Sequence, residues 1–184
     1  MTAHLDLFVQ QHLPAQEELP DFINLENFDY PEILNCATPL LDDAVKEGYG
    51  SKEVVLMNEG SWTYSDLQKD SNQIARVLLE DLNMKPGNRV LLRAPNSYPM
   101  FAAWFGVIKA GGIAVSTMPL LRSMELNTII NKARVTIALC DSRLLEELEQ
   151  ARSESCLEQL ISFRAGDLET KNNKTSVEFE TLPT

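Results

Sequence analysis

Two spacings of apolar residues alternate along most of this chain. Short apolar runs recur at VVLM (54–57), RVLLR (89–93), IAV (113–115), VTIALC (135–140) and LISF (160–163), each the length of a strand. SWT (61–63) adds a brief strand after a turn at Asn58 to Gly60. Between these runs the apolar spacing becomes helical. Leu67, Ile74, Leu78 and Leu82 fall on one face of a helix that Thr63 can cap and that Asn83 and KPG (85–87) stop. Asn96 or Ser97 caps a helix over 98–110, where Met100, Phe101, Trp104, Phe105, Val107 and Ile108 leave little polar face, so it is expected to lie buried between layers. Ser123 caps a helix carrying Leu126, Ile129, Ile130 and Ala133, and Asp141 or Ser142 caps one over 144–151. A further helix over 35–45, ending at Gly48, precedes the first strand.

Strands alternating with helices of about ten residues or more predict an α/β fold, a parallel sheet of repeated βαβ units with helices on both faces. The expected organisation is an arm over residues 1–34, laid extended on a surface, an α/β subdomain over 35–164, and a polar, mobile tail or linker over 165–184. Ligands of such sheets bind at the carboxyl ends of the strands. Here those ends are APN (94–96), residues 116–120, Cys140 with Asp141, and Phe163 with Arg164.

The run IKAGGIAVSTMPLL (108–121) is apolar enough to raise a membrane span. From Met100 to Val115 its only charge is Lys109, but the run falls short of the ~20 apolar residues a span needs and carries a glycine pair. A phosphate-cradling loop is excluded by polarity. Such a loop follows a strand and opens a helix, whereas Gly111 and Gly112 follow a helix and open a strand, where carbonyls repel phosphate. The pair reads as a helix terminus, Gly111 supplying the left-handed residue and Gly112 close packing.

Composition narrows the function. Sixteen Lys and Arg against 27 Asp and Glu give a net charge of −11, which disfavours nucleic acid. The amino terminus lacks the features of a secretory signal, and Cys36, Cys140 and Cys156 are odd in number and widely spaced, so a cytoplasmic location without a disulfide framework is expected. His4 and His12 have no partner pattern for a metal, and no metal site is expected. Cys140 beside Asp141 is a conceivable nucleophile position with no identifiable third group, against the plainer reading of a small buried apolar residue. Asp42 with Asp43, and Glu146, Glu147 and Glu149, are expected on solvated helix faces. No catalytic or cofactor-binding residue emerges from the residues alone.

The landmarks WTYSDL (62–67), KPGNRV (85–90), PNS (95–97), KAGG (109–112) and MPLLRSMEL (118–126), in that order, resemble the adenylate-forming (AMP-binding) superfamily of acyl- and aryl-CoA ligases, luciferases and peptide-synthetase adenylation domains. In the arm, LP (13–14), ELPDF (18–22) and YPEILNC (30–36), with NRVLLR (88–93) and STMPLLR (116–122), are similar to 2-aminobenzoate-CoA and benzoate-CoA ligases. The resemblance implies an AMP-forming acid–thiol ligase using ATP, Mg²⁺ and CoA, in which a carboxylate attacks the α-phosphate of ATP and CoA thiolate then takes the acyl group from the adenylate. An aromatic acid such as 2-aminobenzoate would be the substrate.

The superfamily's Thr/Ser/Gly-rich phosphate loop ending in Pro-Lys, and the motifs that follow it, have no counterpart here. The chain therefore resembles the N-terminal part of a longer ligase, expected to be inactive and free of cofactor by itself, to pair with the missing C-terminal portion of its own chain, and to self-associate through surface that portion would cover. The residue after the proline of the Met118-Pro119 landmark lies near the CoA nucleotide in some relatives, where it is basic or polar. Here it is Leu120, so Arg122 is the alternative CoA-proximal residue, with loop packing and a plain surface arginine as the competing reading. A stand-alone, non-catalytic α/β ligand-binding or interaction module is the rival function.

Overall fold

The computed structural model describes residues 3–21, 23, 29–57, 60–164 and 179–181. A short helix α1 (Phe8–Gln11) opens the chain, and a wide-turned helical stretch over 37–49 leads to the antiparallel hairpin β1 (Glu53–Met57) and β2 (Gly60–Thr63). Then follow α2 (Tyr64–Arg76), β3 (Arg89–Arg93), α3 (Tyr98–Lys109), β4 (Ile113–Thr117), α4 (Ser123–Ala133), β5 (Ile137–Asp141), α5 (Leu145–Arg152), β6 (Gln159–Phe163) and β7 (Phe179–Thr181).

The main sheet has the order β4-β3-β5-β6-β7, with β3 to β6 parallel and β7 antiparallel to β6. Register aligns Val90 with Ala114 and Ile137, and Leu139 with Ile161. Alternate side chains then point to opposite faces. Val90, Leu92, Ile137, Leu139, Ile161 and Phe163 join the layer of α2 and α3, while Leu91, Ala138, Cys140 and Leu160 join that of α4 and α5. Helices therefore cover both faces, as the βαβ pattern predicts.

Local chemistry explains the ends of the elements. Thr63 Oγ1 accepts the N–H of Asp66 at 3.2 Å while the Asp66 carboxylate accepts the N–H of Thr63 at 2.9 Å, a reciprocal cap at the start of α2. Leu67, Ile74, Leu78 and Leu82 are all buried, Leu78 on a wider helical turn, Val77–Asp81, that continues α2 and Leu82 capping it. Ser97 caps α3, Gly48 lies at φ +91°, and Asp141 accepts the N–H of Arg143 at 3.0 Å in a 3-10 turn that precedes α5.

The glycine pair is a helix-to-strand corner. Gly111 sits at φ +76°, and the N–H groups of Gly111 and Gly112 donate to the carbonyls of Ile108 and Val107 at the end of α3. A Cβ on Gly112 would lie 3.0 Å from Val107 Cγ1 and 3.1 Å from Met84 Sδ, so close packing accompanies the turn. Among the described residues no helix is long and apolar enough to cross a membrane.

Four expectations need correction. The segment after Arg164 contributes β7; the alternation in VEFET (177–181) is a strand signal, but one too brief to stand out of the polar stretch around it, and the pairing itself needs only an open edge on β6. The rest of the expected mobile tail lies outside the described residues, as does the turn at Asn58 and Glu59. The arm is not extended throughout, since it contains α1 and a 3-10 turn over Gln16–Glu18. Ser123 is the first residue of α4 and not its cap, which is Arg122. Within α3, Phe101 remains 41% exposed, so that helix is buried on most faces but not all.

Candidate functional site

The carboxyl ends of β3 and β5 meet the loop over 118–122 and the start of α5 in a cleft of about 230 Å³. Arg93, the last residue of β3, forms its floor and is 1% exposed. Its guanidinium donates to four backbone carbonyls: Met118 at 3.1 Å, Pro119 at 3.0 Å, Leu121 at 2.8 Å and Leu144 at 3.4 Å. Burial pulls this cation below its ordinary pKa range, and the nearby Cys140 and Glu147 act against that.

Leu120 and Arg122 both line the cleft, so the two CoA-proximal candidates share one wall. Leu120 is 80% exposed, with its neighbour Met118 also turned to solvent. Arg122 donates from Nη1 to Glu147 Oε1 at 2.7 Å, and the other Glu147 oxygen accepts the N–H of Ser123 at 2.8 Å. Glu147 thus occupies the N-terminal end of α4, where helix amides favour an anion. The Arg122 hydrogen bond is the main cause holding Glu147 below the ordinary carboxylate range. Across the cleft Arg143 donates to both oxygens of the buried Asp141, at 2.9 and 2.7 Å.

The other sequence candidates find structural roles. Cys140 is buried, and desolvation pushes its thiol up to about 12, which leaves no thiolate for nucleophilic work. His4 Nδ1 and Gln10 Nε2 are 3.2 Å apart, and His12 Nδ1 lies 2.7 Å from the Phe8 carbonyl. Among the described residues no group of His, Cys, Asp or Glu is placed to hold a metal ion. Asp42 and Glu147 correct the expectation of solvated faces. Asp42 bonds Lys109 and Gln68, because α2, α3 and the stretch before β1 converge there, while Asp43 keeps an exposed partner in Lys46.

Two buried arginines thus bracket β3. At the amino end, Arg89 donates to the carbonyls of Gly87, Ala133 and Arg134 and pairs with Asp6 of the arm, while its guanidinium stacks 4.7 Å from the Phe8 ring centre. Sequence reading passed over both Arg93 and the Glu147 pairing. Backbone carbonyls more than twenty residues away leave no trace in local spacing, so the only available signal was an arginine at each end of an apolar strand.

Comparison with known proteins places this architecture. A family model described as AMP-binding enzyme matches residues 41–182. A long-chain-fatty-acid–CoA ligase of Escherichia coli O6:H1 is 30% identical over 117 residues, 64% of this chain and 21% of the relative. A benzoate–CoA ligase of Thauera aromatica is 26% identical over 115 residues, 62% of this chain and 22% of the relative. The chain thus spans about a fifth of the length of these curated relatives. Among solved structures, an anthranilate CoA ligase in complex with anthranoyl-AMP superposes with a TM-score of 0.63 at 23% identity, covering 67% of this chain and 24% of the other, a likeness of fold. With most of its length matched by the family model, the chain belongs to the AMP-binding enzyme family.

Proposed function

We propose that this chain is the N-terminal scaffold of an ATP-dependent carboxylate–CoA ligase and that its cleft forms part of the wall facing the thiol substrate. The observation carrying this reading is the convergence of Leu120 and Arg122 on one cleft at the carboxyl ends of parallel strands, within a family match covering residues 41–182. The proposed reaction has two steps. A carboxylate oxygen attacks the α-phosphate of ATP, expelling pyrophosphate with Mg²⁺ balancing its charge; CoA thiolate then attacks the acyl carbon, and AMP leaves. Esterification to phosphate is what turns a carboxylate oxygen into a leaving group.

The proposed acid is aromatic, of the 2-aminobenzoate or benzoate class. Support comes from the arm and loop sequences, and from the benzoate–CoA ligase and anthranilate CoA ligase among the similar proteins, set against long-chain-fatty-acid–CoA ligases in the same comparison. By itself the chain is proposed to be inactive, since a phosphate loop of the superfamily's type is absent from its sequence. A cytoplasmic location is proposed on its three free, widely spaced cysteines.

Acid-dependent exchange of pyrophosphate into ATP tests both parts. Residues 1–184 are expected to give no exchange with any acid, and a polypeptide in which they run on into a phosphate loop is expected to exchange with 2-aminobenzoate or benzoate in preference to a long-chain fatty acid. Exchange by residues 1–184 alone refutes the scaffold reading; preference for the fatty acid refutes the aromatic assignment.

A further inference from the structure

The loop over 118–122 has an unusual balance of forces. Met118 is 63% and Leu120 80% exposed, so these two side chains contribute little burial to hold it in place, while Leu121 packs against the core beneath α4 and α5. Its carbonyls point the other way. Three of them, from Met118, Pro119 and Leu121, accept hydrogen bonds from the one buried guanidinium of Arg93, which also reaches Leu144 on the opposite wall. The planar fork of an arginine can serve several acceptors in fixed directions, whereas a lysine has one nitrogen with three donors and a different reach.

We propose that Arg93 is the positioning residue of the cleft: its guanidinium, by binding carbonyls on both walls, fixes the loop that presents Met118, Leu120 and Arg122, and with it the spacing between the loop and the start of α5. The consequence for a thiol ligand rests on the functional reading above, but the control of loop geometry does not. A buried cation is held here in place of apolar filler, and its four acceptors belong to the two segments that line the cleft.

Amide hydrogen exchange on the 184-residue chain tests the proposal, with Arg93→Lys to keep the charge and Arg93→Met to remove it. In both variants the segment over 118–123 is expected to exchange at least ~10-fold faster, while β5 and β6 keep their protection. Unchanged loop protection in Arg93→Lys overturns the proposal, as does a loss spread equally over every strand. If neither variant folds, Leu120→Ala and Met118→Ala decide, because a loop held by Arg93 keeps its protection without those side chains, and a loop that loosens overturns the proposal. Calorimetric titration with adenosine 3′,5′-bisphosphate, the nucleotide end of CoA, separates the two readings. Weaker binding in Arg93→Lys than in the parent supports the coupling to ligand, and no binding by the parent counts against the thiol wall while the exchange result still decides the role of Arg93.

Discussion

At the scale of single residues, Arg122 is an engaged cation. Glu147 holds it and the first amide of α4 together, so a ligand phosphate arriving at this wall competes with an internal carboxylate. Glu147→Gln removes that competitor, and the proposed thiol wall then predicts binding of adenosine 3′,5′-bisphosphate several-fold tighter by calorimetry, with weaker salt-bridge screening of Arg122 as the cause. Unaltered or weaker binding speaks against Arg122 as a phosphate contact. Asp6 titrates in the opposite part of the molecule. Burial alone would raise its pKa, but the Phe8 N–H, Arg89 and Asn88 together hold it below the ordinary range. The folded value therefore lies below the unfolded one near 3.9, so the stabilisation is complete above about pH 4 to 5 and is lost as pH falls through the folded value. Exchange at the Leu5 and Asp6 amides, which both donate to the Pro86 carbonyl, is expected to gain an acid-dependent opening there. Asp6→Asn should open the arm already at neutral pH at a cost of about 1–2 kcal/mol, and an arm as protected in that variant as in the parent rules out Asp6 as what ties it to Asn88 and Arg89. Thiol titration with a disulfide reagent gives a third check: Cys36 and Cys156 are expected to react in the native chain and Cys140 only after unfolding.

At the scale of elements, α2 and α3 approach closely at Gly106. A Cβ built there would fall 2.6 Å from Ile74 Cγ2 and 3.2 Å from the Ser71 carbonyl, so the helices have no room for a methyl group. Gly106→Ala is therefore expected to destabilise the chain by about 1–3 kcal/mol despite alanine's better helix propensity, measurable by denaturant unfolding; a stabilised variant would show that the helices separate freely. The elements that sequence reading located share a feature, which is that their signal is local. Thr63 with Asp66, the buried face of Leu67, Ile74 and Leu78, and the corner at Gly111 are all decided within a few residues. What escaped it was decided at distance. β7 needs only an open edge on β6, Arg93 needs carbonyls from the β4–α4 loop, and Asp42 reads as a solvated acid until α3 brings Lys109 to it.

At the scale of the whole molecule, the sheet has two ends with different occupants. Its amino ends carry the arm, tied by Asp6 to Asn88 and Arg89, with Phe8 lying under the guanidinium groups of Arg89 and Arg134. Its carboxyl ends carry the cleft. Five-residue strands rising about 3.3 Å per residue keep the two roughly 15 Å apart along the length of the strands. For anyone attaching this chain to a sensor surface, that separation sets the orientation. A linker placed ahead of residue 3 would anchor the protein by the side carrying the arm and leave the mouth between Leu120 and Arg143 facing the flowing solution, whereas coupling through surface lysines would offer ligands a mixture of orientations.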